Sequence, residues 1–155
     1  MNETVIELPD FDVQSTKGVI NLRDHIGDIV VLYFYPKDAT PGCTTEGQNF
    51  RDLFPEFTKF GAVIYGVSRD SLKSHERFRE KQQFPFHLIS DTDEKLCQYF
   101  DVIKEKNMYG RKVLGIERST FLFDRKGKLA QSWRKVRVKG HVEEVLSAVQ
   151  ALADQ

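Results

Sequence analysis

The sequence predicts an α/β fold in which helices flank a central mixed sheet and a β-hairpin lies near the N-terminus. Three observations predict it. Strand-sized apolar runs alternate with amphipathic helical stretches. Two pairs of short strands are joined by tight polar turns. A chain of 155 residues with 40% hydrophobic composition can build one core but not two ordinary ones, so residues 1–155 are expected to form a single domain.

The elements follow in order. Phe11 to Gln14 and Val19 to Leu22 flank Ser15-Thr16-Lys17-Gly18 and read as the N-terminal hairpin. Ile29 to Tyr35 (IVVLYFY) is apolar without alternation, the pattern of a strand covered on both faces. Pro36 ends it, turn residues follow, and a helix opens at Thr40 with Pro41 in its first position. That helix runs to about Lys59, because Phe50, Phe54, Phe57 and Phe60 recur every three or four residues on one stripe.

Gly61 to Val67 is a second strand, Ser71 to Lys81 a charged amphipathic helix and Phe86 to Ile89 a short strand. Ser90 to Glu94 reads as the start of another helix. Thr120 to Phe123 and Leu129 to Trp133 form a hairpin around Asp124-Arg125-Lys126-Gly127, and Val142 to Leu152 closes the chain as a helix. No repeat, low-complexity tract or linker divides the sequence.

Composition excludes several functions. Lys plus Arg and Asp plus Glu each total 23, so the net charge is zero and a nucleic-acid partner is not expected. The basic cluster Arg134, Lys135, Arg137 and Lys139 reads as a solvated strand face. Met1 to Asp10 contains Glu3, Glu7 and Asp10 and no long apolar stretch, so it reads as neither a secretory signal nor a membrane anchor. Two cysteines are too few for a disulfide scaffold, and a reducing, cytoplasmic location is expected.

Cys43 carries the sharpest chemical signal. It falls in the first turn of the helix after Pro36, where unpaired backbone N–H groups and the positive end of the helix dipole favour a thiolate. An unspecified free cysteine is more often a small buried hydrophobe. Here Pro, Thr, Pro and Gly crowd the eight positions ending at Cys43, and loops at strand ends are where sites are built. Thr40 is a natural N-cap; three residues before Cys43, its hydroxyl can also share a pocket with the sulfur.

Other thiol chemistries fit less well. A dithiol oxidoreductase needs two closely spaced cysteines, and Cys43-Thr44-Thr45-Glu46 has one. A cysteine phosphatase needs an arginine soon after the thiol, whereas Glu46 comes before Arg51 and repels phosphate. A cysteine hydrolase needs a histidine, and His25, His75, His87 and His141 are scattered along the chain. No pair of those histidines has a compact ligand spacing, and no glycine-rich phosphate fingerprint occurs, so neither a metal nor another cofactor is expected.

The pattern Pro36-x-x-x-Thr40-x-x-Cys43 resembles the active-site motif of peroxiredoxins, and YFYPKDATPGCTTE resembles their bacterioferritin comigratory protein (Q-type) group. The similarity extends through GVSRDS (Gly66 to Ser71), LISD (Leu88 to Asp91), ERSTFLFDRKGK (Glu117 to Lys128) and the last helix. The resemblance implies a thioredoxin-like fold and thiol-dependent reduction of hydrogen peroxide or organic hydroperoxides. Cys43 matches the peroxidatic cysteine, Thr40 the peroxide-binding hydroxyl, and Pro36 the residue that shields the sulfenic acid. Arg118 matches the arginine beside the thiolate and Glu46 the carboxylate that holds it. Read alone, Arg118 would be a surface ion-pair residue.

Lowering a cysteine pKa from about 8.5 to about 6 raises the thiolate fraction at neutral pH about thirtyfold. The accompanying fall in nucleophilicity removes roughly tenfold. Fast peroxide reduction therefore requires fixed donors for the charge developing on the peroxide oxygens. Thr40, Arg118 and the N–H groups of Gly42 and Cys43 are the candidates.

Cys97 is the second thiol. Relatives of the Q-type group carry a resolving cysteine at positions corresponding to Gln48 or Arg79 here, and neither is a cysteine. Cys97 lies between the one-turn apolar pair Leu96 and Phe100 after an acidic stretch and reads first as structural and partly buried, with an intramolecular or intermolecular resolving role as the alternative. The working expectation is a one-cysteine cycle in which thioredoxin, or glutathione with glutaredoxin, reduces Cys43. The protein is expected to act as a monomer without a membrane partner. The competing reading is a redox sensor or holdase chaperone switched by Cys43 oxidation.

Overall fold

A computed structural model describes residues 7–155. Most of the Met1 to Asp10 reading therefore falls on residues outside the described ones. No helix among the described residues is long and apolar enough to cross a membrane.

The strands are β1 (Asp12–Ser15), β2 (Gly18–Asn21), β3 (Ile29–Phe34), β4 (Ala62–Ser68), β5 (His87–Ser90), β6 (Ile103–Met108), β7 (Arg111–Ile116), β8 (Ser119–Phe123) and β9 (Leu129–Trp133). The helices are α1 (Pro41–Lys59), α2 (Leu72–Gln82), α3 (Lys95–Tyr99) and α4 (His141–Ala153). Seven strands form one sheet in the order β2-β1-β5-β4-β3-β8-β9. β3, β4 and β5 are parallel; β1 pairs antiparallel with β5, β8 with β3, and β9 with β8. Parallel neighbours need a long crossover, which α1 and α2 provide. The expected mixed sheet, flanking helices and N-terminal hairpin are all present.

β3 shows why an unbroken apolar run belongs at the centre. Its six residues are all buried, and successive side chains enter opposite cores. Ile29, Val31 and Tyr33, with the following Tyr35, pack beside Phe50 and Phe57 of α1, Phe78 of α2 and Val142, Val145 and Val149 of α4. Val30, Leu32 and Phe34 pack on the other face with Leu96, Cys97, Phe100 and Phe121. Phe50 and Phe57 are fully buried, each contributing about 2–3 kcal/mol of transfer free energy. Phe54 and Phe60 only flank this core.

Two features depart from the sequence expectation. The chain between Ile103 and Ile116 forms the β6–β7 hairpin, turning at Tyr109 and Gly110 with φ of 54° and 79°. Both values are positive, as a type I′ turn requires. Lys104, Glu105, Lys106, Arg111 and Lys112 mask the apolar alternation that would have signalled these strands. The segment after Trp133, with its basic cluster, is a loop rather than a strand face.

Candidate active site

The C-terminal end of β3 feeds directly into the N-terminus of α1, the crevice position where open α/β sheets build their sites. Tyr35 N–H still donates to Val67 O at 3.0 Å, so the chain leaves the sheet only at Pro36. Ala39 turns with φ 63°, Thr40 takes the N-cap position with extended φ and ψ, and Pro41 starts the helix. Cys43 then sits in the first turn with its side chain in the core (1% exposed).

Thr40 does not cap with its side chain. Its hydroxyl donates to Lys37 O at 2.8 Å, closing the loop on itself. The hydroxyl proton is thereby engaged, which leaves Oγ1 as an acceptor rather than the donor that its position in the motif led us to expect.

Arg118 reaches this turn from the link between β7 and β8. Its Nη1 donates to Glu46 Oε1 at 2.6 Å and its Nη2 to Cys43 Sγ at 3.4 Å. Cys43 and Glu46, close together at the start of α1, thus meet around the guanidinium of Arg118, which lies more than 70 positions further along the chain. A Cβ on Gly42 would stand 3.3 Å from Arg118 Nη2, so the bare backbone there lets the guanidinium lie across the helix start. Burial lowers the pKa of Arg118, but the negative charges of Glu46 and Cys43 outweigh it and raise the value overall, so the cation is secure.

Glu46 is fully buried, and burial pushes its carboxyl up from 4.5 to about 7 against the pull of Arg118. Its Oε2 has no hydrogen-bond partner among the described residues, which leaves that oxygen free to hold a proton. The Tyr33 hydroxyl is buried and unpartnered in the same way. The Tyr33 ring stacks on Phe50 at 4.5 Å and on Tyr35 at 5.5 Å, forming an aromatic wall within the core that holds Cys43. Phe34 and Phe121 belong to the opposite face, and Trp133 donates its Nε1–H to Glu144 at 2.6 Å.

Cys97 is fully rather than partly buried. It faces the other side of the sheet from Cys43, because the two pack against alternate residues of β3. Burial pushes its pKa well up, and the Asp91 carboxylate adds to the effect. The backbone N–H of Cys97 donates to Asp91 Oδ2 at 2.8 Å, so the acidic residue also caps α3.

Each histidine is engaged away from the thiol. His25 contacts Tyr65 Oη at 2.7 Å, His87 contacts Thr16 Oγ1 at 2.9 Å, and His141 contacts Thr120 Oγ1 at 2.8 Å. His75 contacts Asp38 Oδ2 at 2.7 Å. Asp38, Asp70 and His75 bring one ligand-type atom each within 4.8 Å of one another, a set invisible to histidine spacing. Their lone pairs are already taken: Tyr35 and Ser74 donate to Asp38, and Ser68 donates to Asp70. That arrangement fits a hydrogen-bonded anchor better than a cation site. The partnership of Asp70 and Ser74 with Asp38 left no local signal in the sequence.

A model of the AhpC/TSA family matches residues 6–132. Peroxiredoxin Bcp of Xanthomonas campestris pv. campestris is 58% identical over 160 residues, spanning 100% of both chains. Peroxiredoxin Bcp of Bacillus subtilis is 47% identical over 148 residues, 95% of this chain and 94% of its own. Among solved structures, Xanthomonas campestris peroxiredoxin Q matches with a TM-score of 0.90 and 57% identity, covering 98% of this chain and 99% of that one. A trapped intermediate/ligand complex of the Xanthomonas campestris bacterioferritin comigratory protein bears on the alkyl peroxide reduction activity of that protein. It matches with a TM-score of 0.90 and 56% identity, covering 98% of this chain and 99% of that one.

Proposed function

The chain belongs to the AhpC/TSA family of peroxiredoxins, and on that premise we propose that it is a thiol peroxidase in which Cys43 is the peroxidatic residue. The single observation that carries the assignment is the Arg118 guanidinium bridging the Cys43 sulfur and the buried Glu46 carboxyl.

The Cys43 thiolate attacks the nearer peroxide oxygen, forming an S–O bond as the O–O bond breaks. Sulfur loses two electrons, the peroxide gains them, and the products are a Cys43 sulfenic acid and water or an alcohol once the leaving oxygen is protonated. Negative charge moves from sulfur to the leaving oxygen, so the donors must serve both positions. The donors assigned to them are Arg118 Nη2, which reaches the sulfur, and the first-turn N–H groups of Gly42 and Cys43. Thr40 Oγ1, its own proton held by Lys37 O, accepts the peroxide O–H and orients it. Pro36 borders the same loop and shields the sulfenic acid.

The sulfenic acid is returned to the thiol in a one-cysteine cycle by an external thiol, thioredoxin or glutathione with glutaredoxin. The full burial of Cys97 on the other face of the sheet supports this reading. The substrate class includes organic hydroperoxides as well as hydrogen peroxide. No observation favours the sensor or holdase alternative.

Peroxide consumption with a thiol reductant in excess tests the assignment. Many equivalents consumed by the wild type and none by Cys43→Ser is the expected result. A single oxidation that stops would overturn it.

A further inference from the structure

A densely hydrogen-bonded polar cluster lies beside the loop that leads into the thiol site. His75, on α2, is fully buried, and its two ring nitrogens face different partners. Nε2 lies 2.9 Å from Ile89 O, a carbonyl that can only accept, so Nε2 carries a proton. Nδ1 lies 2.7 Å from Oδ2 of Asp38, whose side chain is 4% exposed. Asp38 Oδ1 also accepts from Tyr35 Oη at 2.7 Å and Oδ2 from Ser74 Oγ at 2.8 Å. The backbone N–H of Asp38 donates to Asp70 Oδ2 at 2.9 Å.

Asp38 is thus held at both its backbone and its carboxylate, two residues before Thr40. The residue between them, Ala39, lies in the left-handed region with φ 63°, which costs a non-glycine residue about 1 kcal/mol or more. Such a conformation persists only where neighbouring anchors over-determine it. On one side that anchor is Asp38; on the other it is the Thr40 to Lys37 bond.

Resting on the peroxidase reading above, we propose that His75 is a positioning residue. By donating Nδ1–H to Asp38, it locks the loop of residues 36–40 and so aims the Thr40 hydroxyl and the Cys43 turn at the incoming peroxide. A bare Nδ1 lone pair would instead face a carboxylate oxygen and push the loop off its anchor. The pair is tolerated in the core because every remaining lone pair of Asp38 that faces a neighbour receives a proton.

Two substitutions separate this role from packing. The amide nitrogen of asparagine falls near the Nδ1 position of histidine, and that of glutamine near Nε2. His75→Asn therefore keeps the donor to Asp38, and His75→Gln keeps only the donor to Ile89 O. The rate constant for Cys43 oxidation by hydrogen peroxide, measured by competition, is the readout, with the thermal midpoint recorded alongside. His75→Asn should come within about threefold of the wild type and His75→Gln should fall about thirtyfold, a difference near 1.4 kcal/mol in barrier. Ser74→Ala, which removes one donor to Asp38 without a core cavity, should slow oxidation several-fold at an unchanged midpoint. Equal rates for the two His75 variants, or a wild-type rate for Ser74→Ala, would overturn the positioning role. A wild-type Cys43 that peroxide leaves unoxidised would instead overturn the peroxidase reading itself.

Discussion

Arg118 Nη2 donates to Cys43 Sγ at 3.4 Å across 75 positions of sequence. The contact exists because β8 pairs antiparallel with β3, which brings the residue before β8 to the end of β3 where α1 begins. The planar fork lets one guanidinium serve the sulfur and Glu46 together, a geometry that an ammonium cannot copy. Arg118→Lys should keep a positive charge yet lower the rate of Cys43 oxidation roughly 10²–10³-fold, the usual loss when one preorganised donor is removed from a developing charge. Competition kinetics with hydrogen peroxide measures it; a loss below threefold would show that charge alone suffices.

Glu46 gives a pH dependence of defined sign. Burial raises its carboxyl from 4.5 to about 7, so between those values the folded chain holds a proton that the unfolded chain releases. The stability contributed by this group is full below pH 4.5 and is lost as pH rises through about 7. Glu46→Gln still offers Arg118 an acceptor oxygen but cannot ionise. Urea midpoints for the wild type should fall relative to Glu46→Gln between pH 5 and 8, and parallel curves would refute the assignment.

Much of the scaffold was legible because it rests on local patterns. The unalternating run from Ile29 to Tyr35 announced a strand with two buried faces, and the Phe50 and Phe57 spacing announced the helix that covers one of them. Cys43, Thr40 and Pro36 could be read because they fall within one loop and turn. Arg118 and Glu46 could be named only through the motif, since no local pattern reveals a pairing 72 positions apart. The direction of the Thr40 hydroxyl and the Asp38–His75 pair, 37 positions apart, depend on tertiary packing and left no trace. The β6–β7 hairpin was missed for the opposite reason: its signal is local but buried under charge.

Close packing against α1 fixes another position. A Cβ on Gly47 would stand 2.3 Å from Phe84 Cζ and 3.0 Å from both adjacent ring carbons, with Phe84 itself buried. Gly47→Ala gains about 1 kcal/mol of helix propensity, but displacing a packed ring costs typically 1–3 kcal/mol or more. The variant should melt several degrees below the wild type. A higher midpoint would mean that Phe84 moves aside freely.

Cys97 is predicted to be dispensable for turnover. Its sulfur is buried, its pKa is pushed up first by burial and then by Asp91, and the sheet separates it from Cys43. Cys97→Ser should reduce peroxide at an unchanged rate with thioredoxin or glutathione and glutaredoxin. Intact mass after one equivalent of peroxide should show one added oxygen and no internal disulfide. Loss of turnover with thioredoxin would make Cys97 a resolving residue and end the one-cysteine model.

The burial of Cys43 sets the last requirement. At 1% exposure the sulfur admits a small peroxide oxygen through fluctuations of the first turn, but an attacking protein thiol must approach within bonding distance. The segment from Thr40 to Gln48 is therefore expected to open in the oxidised state. Its first turn is the element least able to resist, since Thr40 supplies no side-chain cap and the helix begins with a proline and a glycine. Opening also breaks the Arg118 bond to sulfur, so oxidation, which removes the negative charge from the thiolate, weakens the contact that keeps the turn closed. Amide hydrogen exchange should accelerate at least about tenfold across residues 43–48 after oxidation, while β3 stays protected. Equal protection in both states would mean that the reductant reaches the sulfenic acid through the folded site.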